Sequence, residues 1–347
     1  MWRASVVWSL VAAEFVRWPN VLAVNTETLT TLIESSDLDG LVRFVDGLVA
    51  SRDWDGIEAM RDRCREAVER GKQVWGPAEY AEYRLALDGP ADHAAGVLGD
   101  GKGRYGPGPL WEVAASRHSW SEMEPLVSIP TLRAMIAHER AIRGDSVDPD
   151  SIDSNIFEIP PVLQPWEPIY PVAVYREDGV DFPEGDRVPL DWVDLPQAGT
   201  QIDDEGPGEA LLALVRPWWD ESSGHADAVQ VEGDALAAIR TIGPHRARVA
   251  DVTLGEALAA MAWTGSSGGA YGSRRGTPIG RAMAWWVLAT LLGYDEMPDD
   301  PGDLEEAAEL RWVLWDPGDA VGGWALNLAI EDPQDGVAWA ISAVDMA

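Results

Sequence analysis

Apolar positions along this chain change their period about halfway. Through residues 25–145 they recur at helical spacing. Leu38, Leu41, Val42, Val45, Leu48 and Val49 form one stripe; Trp54, Ile57, Met60, Cys64, Ala67 and Val68 form another. Asp53 stands where an N-cap would, and Gly71 where a helix would stop. Pro77 opens a further helix that Gly89 and Pro90 break. Shorter helices are predicted at about 91–98, 109–117 and 129–143. Short helices with brief connections predict an all-helical bundle or a HEAT/TPR-like stack over 25–145, although no clean fixed-period repeat is present.

The texture breaks at 146–171. Pro149, Pro160, Pro161, Pro165, Pro168 and Pro171 cannot support a helix, so the stretch is read as a proline-rich linker between two domains. Order resumes over 172–347. Val172 to Phe182 reads as a strand pair around Asp178-Gly179, and 194–207 as an exposed acidic loop. Asp234 to Ile242 reads as a helix. Thr253 and Glu256 form a capping box that opens another, through Trp263. Thr277 and Pro278 begin a helix that runs to Leu292 and is apolar on nearly every side. At about 15 residues it is too short to cross a bilayer, so it is expected to be buried.

Beyond that helix the period becomes two. Leu310, Trp312 and Leu314 share one face, as do Trp324, Leu326, Leu328 and Ile330, and again Val337, Trp339 and Ile341. Asp332-Pro333-Gln334-Asp335-Gly336 is turn chemistry between the last two runs. The pattern predicts an antiparallel meander packed on the helix that carries Trp285 and Trp286. The fold class is therefore α+β. Residues 1–24 do not fit either domain. Arg3, Glu14 and Arg17 interrupt their apolar positions, and the uncharged run Ala4–Ala13 is too short to span a membrane. No small-residue cleavage site follows it. This segment is expected to be an extension outside the native fold, with Val24 as an alternative start.

Composition narrows the function. The chain has 59 Asp and Glu against 26 Lys and Arg, a net charge of −33. Such a charge repels nucleic acid and anionic membranes and suits a basic protein partner. Cys64 is the only cysteine, so no intramolecular disulfide forms and a reducing, cytoplasmic setting is expected. The five histidines, His93, His118, His138, His225 and His245, lack zinc-ligand spacing. The acidic clusters lack EF-hand spacing. No metal and no cofactor is expected. Most of the 18 tryptophans lie on apolar faces, where core packing explains them better than sugar or base stacking.

One stretch reverses the charge. Residues 235–294 carry six arginines against two carboxylates, whereas 151–234 and 295–347 are strongly acidic. Within it, Gly265 to Arg281 is a Gly/Ser/Arg loop. Gly268 and Gly269 allow backbone N–H groups to turn toward an anion. Arg274, Arg275 and Arg281 add forked donors, and a helix N-terminus beginning at Pro278 adds positive potential. The spacing is that of neither a P-loop nor a dinucleotide fingerprint. Gly265-Ser266-Ser267-Gly268-Gly269 matches G-x-S-x-G in form, but a helix precedes it where the nucleophile elbow needs a strand. No catalytic residue is therefore assigned. The bland alternative is that these arginines neutralise the chain's own carboxylates.

The chain resembles an actinobacterial family of uncharacterised proteins, a domain of unknown function. The segments that carry the resemblance are Ala81–Leu87, Glu112–Trp120, the loop around Gly268–Gly276, Trp285-Trp286 and Glu331-Asp332-Pro333. It implies a fold over most of 25–347 and no activity. Where the family pattern would carry a histidine this chain has Tyr271, which weakens histidine chemistry at the loop. Two functions are open. One is a non-enzymatic interaction or regulatory protein, an immunity-type protein being one version. The other is a binder of an anionic or phosphorylated small molecule, an enzyme included, using the 265–281 loop.

Overall fold

The computed structural model describes residues 20–100, 107–152, 156–185, 188–203, 206–318 and 323–346. The chain is α+β and divides into two compact units, one up to Ala78 and one from Glu79. Residues 1–19, the greater part of the expected extension, lie outside the described residues.

The first unit holds α1 (Asn20–Ser35), α2 (Leu38–Ser51) and α3 (Trp54–Glu69), each packed on the other two. Asp37 and Asp53 cap α2 and α3 by accepting the N–H groups of Gly40 and Gly56 at 2.9 and 3.1 Å. Leu41, Val45 and Leu48 of α2 are buried, as are Ile57, Met60, Cys64 and Ala67 of α3. These are the centres of the predicted stripes; Val42, Val49, Trp54 and Val68 are half-buried and Leu38 is exposed. The helix α4 (Trp75–Asp88) leads from this unit into the second.

The second unit contains α5 (Ala91–Gly96), α6 (Leu110–Arg117), α7 (Trp120–Met123) and α8 (Pro130–Ile142), followed by the sheet and its helices. The proline-rich stretch thus lies inside this unit. It has little regular structure, yet Ile159 and Tyr170 are core residues. A hairpin of β1 (Val174–Arg176) and β2 (Gly179–Asp181) follows, turning at the predicted Asp178.

The remaining strands make one antiparallel sheet. They are β3 (Asp191–Asp194), β4 (Thr200–Gln201), β5 (His225–Glu232), β6 (Arg246–Val252), β7 (Arg311–Asp316), β8 (Trp324–Asp332) and β9 (Val337–Asp345). Their spatial order is β3-β6-β7-β8-β9-β5-β4. The predicted meander is its centre, and β6 and β5 extend it on either side. Between the strands run α9 (Pro207–Asp220), α10 (Ala235–Ile242), α11 (Leu254–Ser266) and α12 (Thr277–Leu291).

Alternation along the strands divides the core in two. Trp312, Leu326, Leu328, Ile330, Trp339 and Ile341 face one side with α9, α11 and α12. Val313, Trp315, Ala329, Ala338 and Ala340 face the other with α10. The first set is the face the period-two pattern selected. Within that layer α9 and α11 lie on the sheet, and α12 packs chiefly on α11 and α9. A helix apolar all round needs cover on every side, and α8 and the 3-10 segment Pro301–Glu309 supply the rest. Gly265 and Gly280 let α11 and α12 approach closely. A Cβ added at Gly280 would stand 2.0 Å from the carbonyl oxygen of Ala262.

Candidate functional site

The loop joining α11 to α12 leaves its helix in extended backbone at Ser267. Two of its glycines need positive φ: Gly269 at +78° and Gly276 at +104°. Both also lie against neighbours too close for a side chain. A Cβ on Gly269 would meet Asp345 Oδ2 at 2.1 Å, and one on Gly276 the Trp111 ring at 2.3 Å. A Cβ on Gly268 would stand 2.3 Å from the carbonyl oxygen of Ser273, so there the loop closes on itself.

The backbone donors of this loop do turn toward anions, and the anions are the chain's own. Ala270 N–H donates to Asp345 Oδ2 at 2.6 Å, Ser273 N–H to Glu221 Oε2 at 3.3 Å, and Thr277 N–H to Glu112 Oε1 at 3.2 Å. The last contact is the N-terminus of α12, so Glu112 sits where a phosphate would at a helix-borne anion site.

Arg274 completes that arrangement. Its Nε and Nη2 donate to the two oxygens of Glu112, both at 2.8 Å, and its guanidinium lies 4.6 Å from the Phe182 ring centre. Tyr175 O–H donates to the same carboxylate at 2.7 Å. Side-chain exposure is 7% for Arg274 and 0% for Glu112. Burial alone would raise the Glu112 pKa, but the charge and hydrogen bonds of Arg274 outweigh it and hold the group below the usual carboxylate range. Glu139 of α8 is the second buried carboxylate of this cluster. Burial first, then the charge of Glu112, pushes its pKa up to about 7, against the pull of Arg143 and Arg274. Arg143 Nε donates to Glu139 Oε1 at 2.7 Å, while Oε2 has no partner among the described residues.

Arg281 is held in the same manner one turn into α12. It pairs with Glu167 through Nε and Nη2 at 2.7 and 2.6 Å, and Nη1 donates to the carbonyl of Pro160 at 2.8 Å. Both side chains are wholly buried. Trp285 Nε1 and the Tyr170 hydroxyl donate to Glu167 as well, at 2.9 and 2.7 Å. His138 touches Arg281 through Nδ1 at 3.4 Å; burial, then that positive charge, takes its pKa down to about 3. Arg275 is different. Its Nη2 donates to the carbonyl of Leu214 at 2.8 Å, its Nε has no partner among the described residues, and burial lowers its pKa to about 10.

The structure therefore separates the predicted site residues. Gly268, Gly269 and Arg274 line one cavity of about 280 Å³, together with Phe182, Tyr271 and Trp324. Arg275 and Arg281 are not among the residues lining it. The other arginines of the basic stretch are also engaged. Arg246 pairs with Asp194 at 3.6 Å, Arg248 with Asp316, and Arg240 donates to the carbonyl of Gly243 at 3.1 Å. Ser267 accepts from Trp218 Nε1 at 2.9 Å and from Gly269 N–H at 3.2 Å, with no base among its partners in the described residues. His118 closes α6, its N–H donating to the carbonyl of Ala114 at 2.9 Å. The residues that sequence reasoning missed are the acceptors Glu112, Glu167, Glu221 and Asp345. One local signal marks the first. Glu112 stands alone in the apolar run Leu110–Ala115, every member of which is buried, and a carboxylate in such a run needs a cation.

Residues 39–347 match the family of unknown function DUF6183, and the chain belongs to it. No curated protein and no solved structure matches the chain. No helix among the described residues is long and apolar enough to cross a membrane.

Proposed function

We propose that this member of the family is a non-enzymatic interaction or regulatory protein that engages a basic protein partner, an immunity-type role included. One observation carries the reading. In the basic stretch Arg274 and Arg281 are turned inward, each holding a buried carboxylate, while Arg246 and Arg248 pair at the surface with Asp194 and Asp316. The loop's Arg274 and Arg281 are thereby spent on the chain's own carboxylates, and a chain of net charge −33 presents acid to its surroundings. Such a field steers a basic partner and speeds its association. The buried Cys64, whose thiol pKa burial raises to about 11, suits a reducing cytoplasmic setting. Purification of the tagged chain from its native cell tests the reading. One basic protein should co-purify stoichiometrically, with an affinity that falls steeply between low and physiological salt. A chain that emerges with no stoichiometric partner, or with one whose affinity ignores salt, refutes it.

A second reading, binding of an anionic or phosphorylated small molecule at the 265–281 loop, draws its support from the 280 Å³ cavity walled by Gly268, Gly269 and Arg274. Against it stands the engagement of Arg274 and of the Ser273 and Ala270 N–H groups by Glu112, Glu221 and Asp345. Thermal melts with inorganic phosphate and a panel of nucleotides and sugar phosphates separate the two. The interaction reading expects no shift, and a ligand-specific shift lost in Gly268→Ala would favour the second.

A further inference from the structure

A larger cavity, of about 770 Å³, lies where the first half of α9, the last turn of α12 and the β5–β9 strand pair meet. Three aromatic rings line it: Trp286 of α12, Tyr294 just beyond that helix, and Trp339 of β9. Gln230 of β5 lies directly opposite Trp339 in the sheet register and also lines the cavity. Trp339 is 5% exposed. Gln230 Oε1 and Trp339 Nε1 are buried and have no hydrogen-bond partner among the described residues. Among those residues the Gln230 oxygen is an acceptor that lacks a donor and the Trp339 N–H a donor that lacks an acceptor, so a partner that meets both brings a donor and an acceptor.

The charges around the cavity select that partner. Glu209, Asp295 and Asp335 line it and make no ion pair among the described residues. Asp332 adds a fourth carboxylate, already accepting the N–H groups of Gln334 and Asp335 at 2.8 and 3.2 Å. The C-terminal turn of α12 adds the negative end of a helix dipole. Against these stands one cation, Arg216. An anion is disfavoured here, and a cation is attracted both by the carboxylates and by the ring faces.

We propose that this cavity receives an arginine side chain from the basic protein partner. Arginine fits better than lysine because a planar guanidinium stacks on indole and offers five donors, enough for Gln230 and a rim carboxylate together; it accepts no hydrogen bond, so the Trp339 N–H is left for a backbone carbonyl of the partner. A volume of 770 Å³ exceeds one side chain, so a short segment with further basic residues beside the arginine is accommodated. This inference rests on the interaction reading above and names its docking site.

The test is a titration of acetyl-Arg-Arg-Arg-amide into the full chain at low salt, followed by tryptophan fluorescence and calorimetry. The arginine peptide should bind and change the fluorescence, and its neutral citrulline counterpart should bind at least about tenfold more weakly. Asp295→Asn with Asp335→Asn should weaken binding severalfold more than the same charge change at Asp191 and Asp220, outside the cavity. Arg216→Ala should strengthen it severalfold, a gain that misfolding cannot imitate. Equal binding of the citrulline peptide overturns the proposal. So does an Asp295→Asn/Asp335→Asn variant that behaves like its control while Arg216→Ala gains nothing. A co-purified basic protein indifferent to all of these changes overturns the cavity and leaves the interaction reading intact. Arginine-peptide binding at the cavity by a chain with no stoichiometric partner does the reverse.

Discussion

Replacing Arg274 by methionine separates an internal neutralising role from a ligand-binding one. Methionine keeps much of the stem's apolar volume and removes the guanidinium. Glu112, 0% exposed, then loses the one cation paired with it among the described residues. Breaking a buried ion pair on one side costs about 3–5 kcal/mol, because the other charge stays uncompensated. Tyr175 O–H, Thr277 N–H and the Thr277 hydroxyl still reach the carboxylate, at 2.7, 3.2 and 3.2 Å. The loss should therefore fall near the low end, about 3 kcal/mol. For a unit of this size that lowers Tm by about 6–12 °C. Urea melts across pH supply the sharper check. In the wild type the Glu112 pKa is depressed, so the pair's contribution is complete above the unfolded carboxylate value and is lost as pH falls through the folded one. In the variant the same group is buried without its cation and its pKa rises, so acidification stabilises the variant relative to wild type. The gap between the two should narrow from pH 8 to pH 4. A loss below about 1 kcal/mol, the value of an exposed pair, or a gap independent of pH, would refute the reasoning.

Three further outcomes follow from the same interior. Glu139 has a folded pKa near 7, above its unfolded value, so the folded chain holds an extra proton between those limits and its stability falls as pH rises through them, by up to about 3 kcal/mol. Glu139→Gln should flatten that slope in urea melts at pH 5 and pH 8, and parallel slopes for variant and wild type would contradict the assignment. Gly280→Ala, which drives a Cβ against the Ala262 carbonyl at 2.0 Å, should force α11 and α12 apart and cost about 1–3 kcal/mol by thermal melt; a neutral substitution would mean the helices have room. Cys64, wholly buried and with a raised thiol pKa, should resist an aromatic disulfide reagent in the native chain and react at once in urea, whereas rapid native labelling would show that the first unit opens readily.

What the sequence revealed of the fold was what local chemistry determines. The Thr253–Glu256 capping box is present, with Thr253 N–H donating to Glu256 Oε2 at 2.7 Å. The alternating faces of β7, β8 and β9 divide the two cores as their pattern predicts. The strands β5 and β6 were not legible. Their sequences, HADAVQVE and RARVADV, alternate charged or polar residues with alanine and valine, too weak a contrast for a period-two signal. Both gain their apolar surroundings only from distant partners, as when Ala228 of β5 pairs with Ile341 of β9. The helix α9 carries Pro217 near its end beside an acidic segment, and that conceals an otherwise amphipathic run. Register and sheet order are properties of such long-range pairing, and no local spacing encodes them.

The candidate site was legible on one side only. Glycines at positive φ, forked donors and a helix N-terminus are all present at Gly269–Thr277, and they bind an anion as their chemistry requires. The sequence cannot say which anion, because Glu112 stands 162 residues from Arg274. An arginine-rich stretch inside an acidic chain is ambiguous for a definite physical reason. The same donors that would hold a phosphate from outside also neutralise a carboxylate from within, and burial decides between them. Here each bidentate pair is closed from solvent, at Glu112 and again at Glu167. Once those pairs form, the carboxylates left without an ion pair among the described residues include Glu209, Asp295 and Asp335, and these line a cavity that Trp286, Tyr294 and Trp339 line as well. The charge pattern thus points away from the loop that carries the arginines and toward the cavity that has only Arg216 among its charges to oppose a cation.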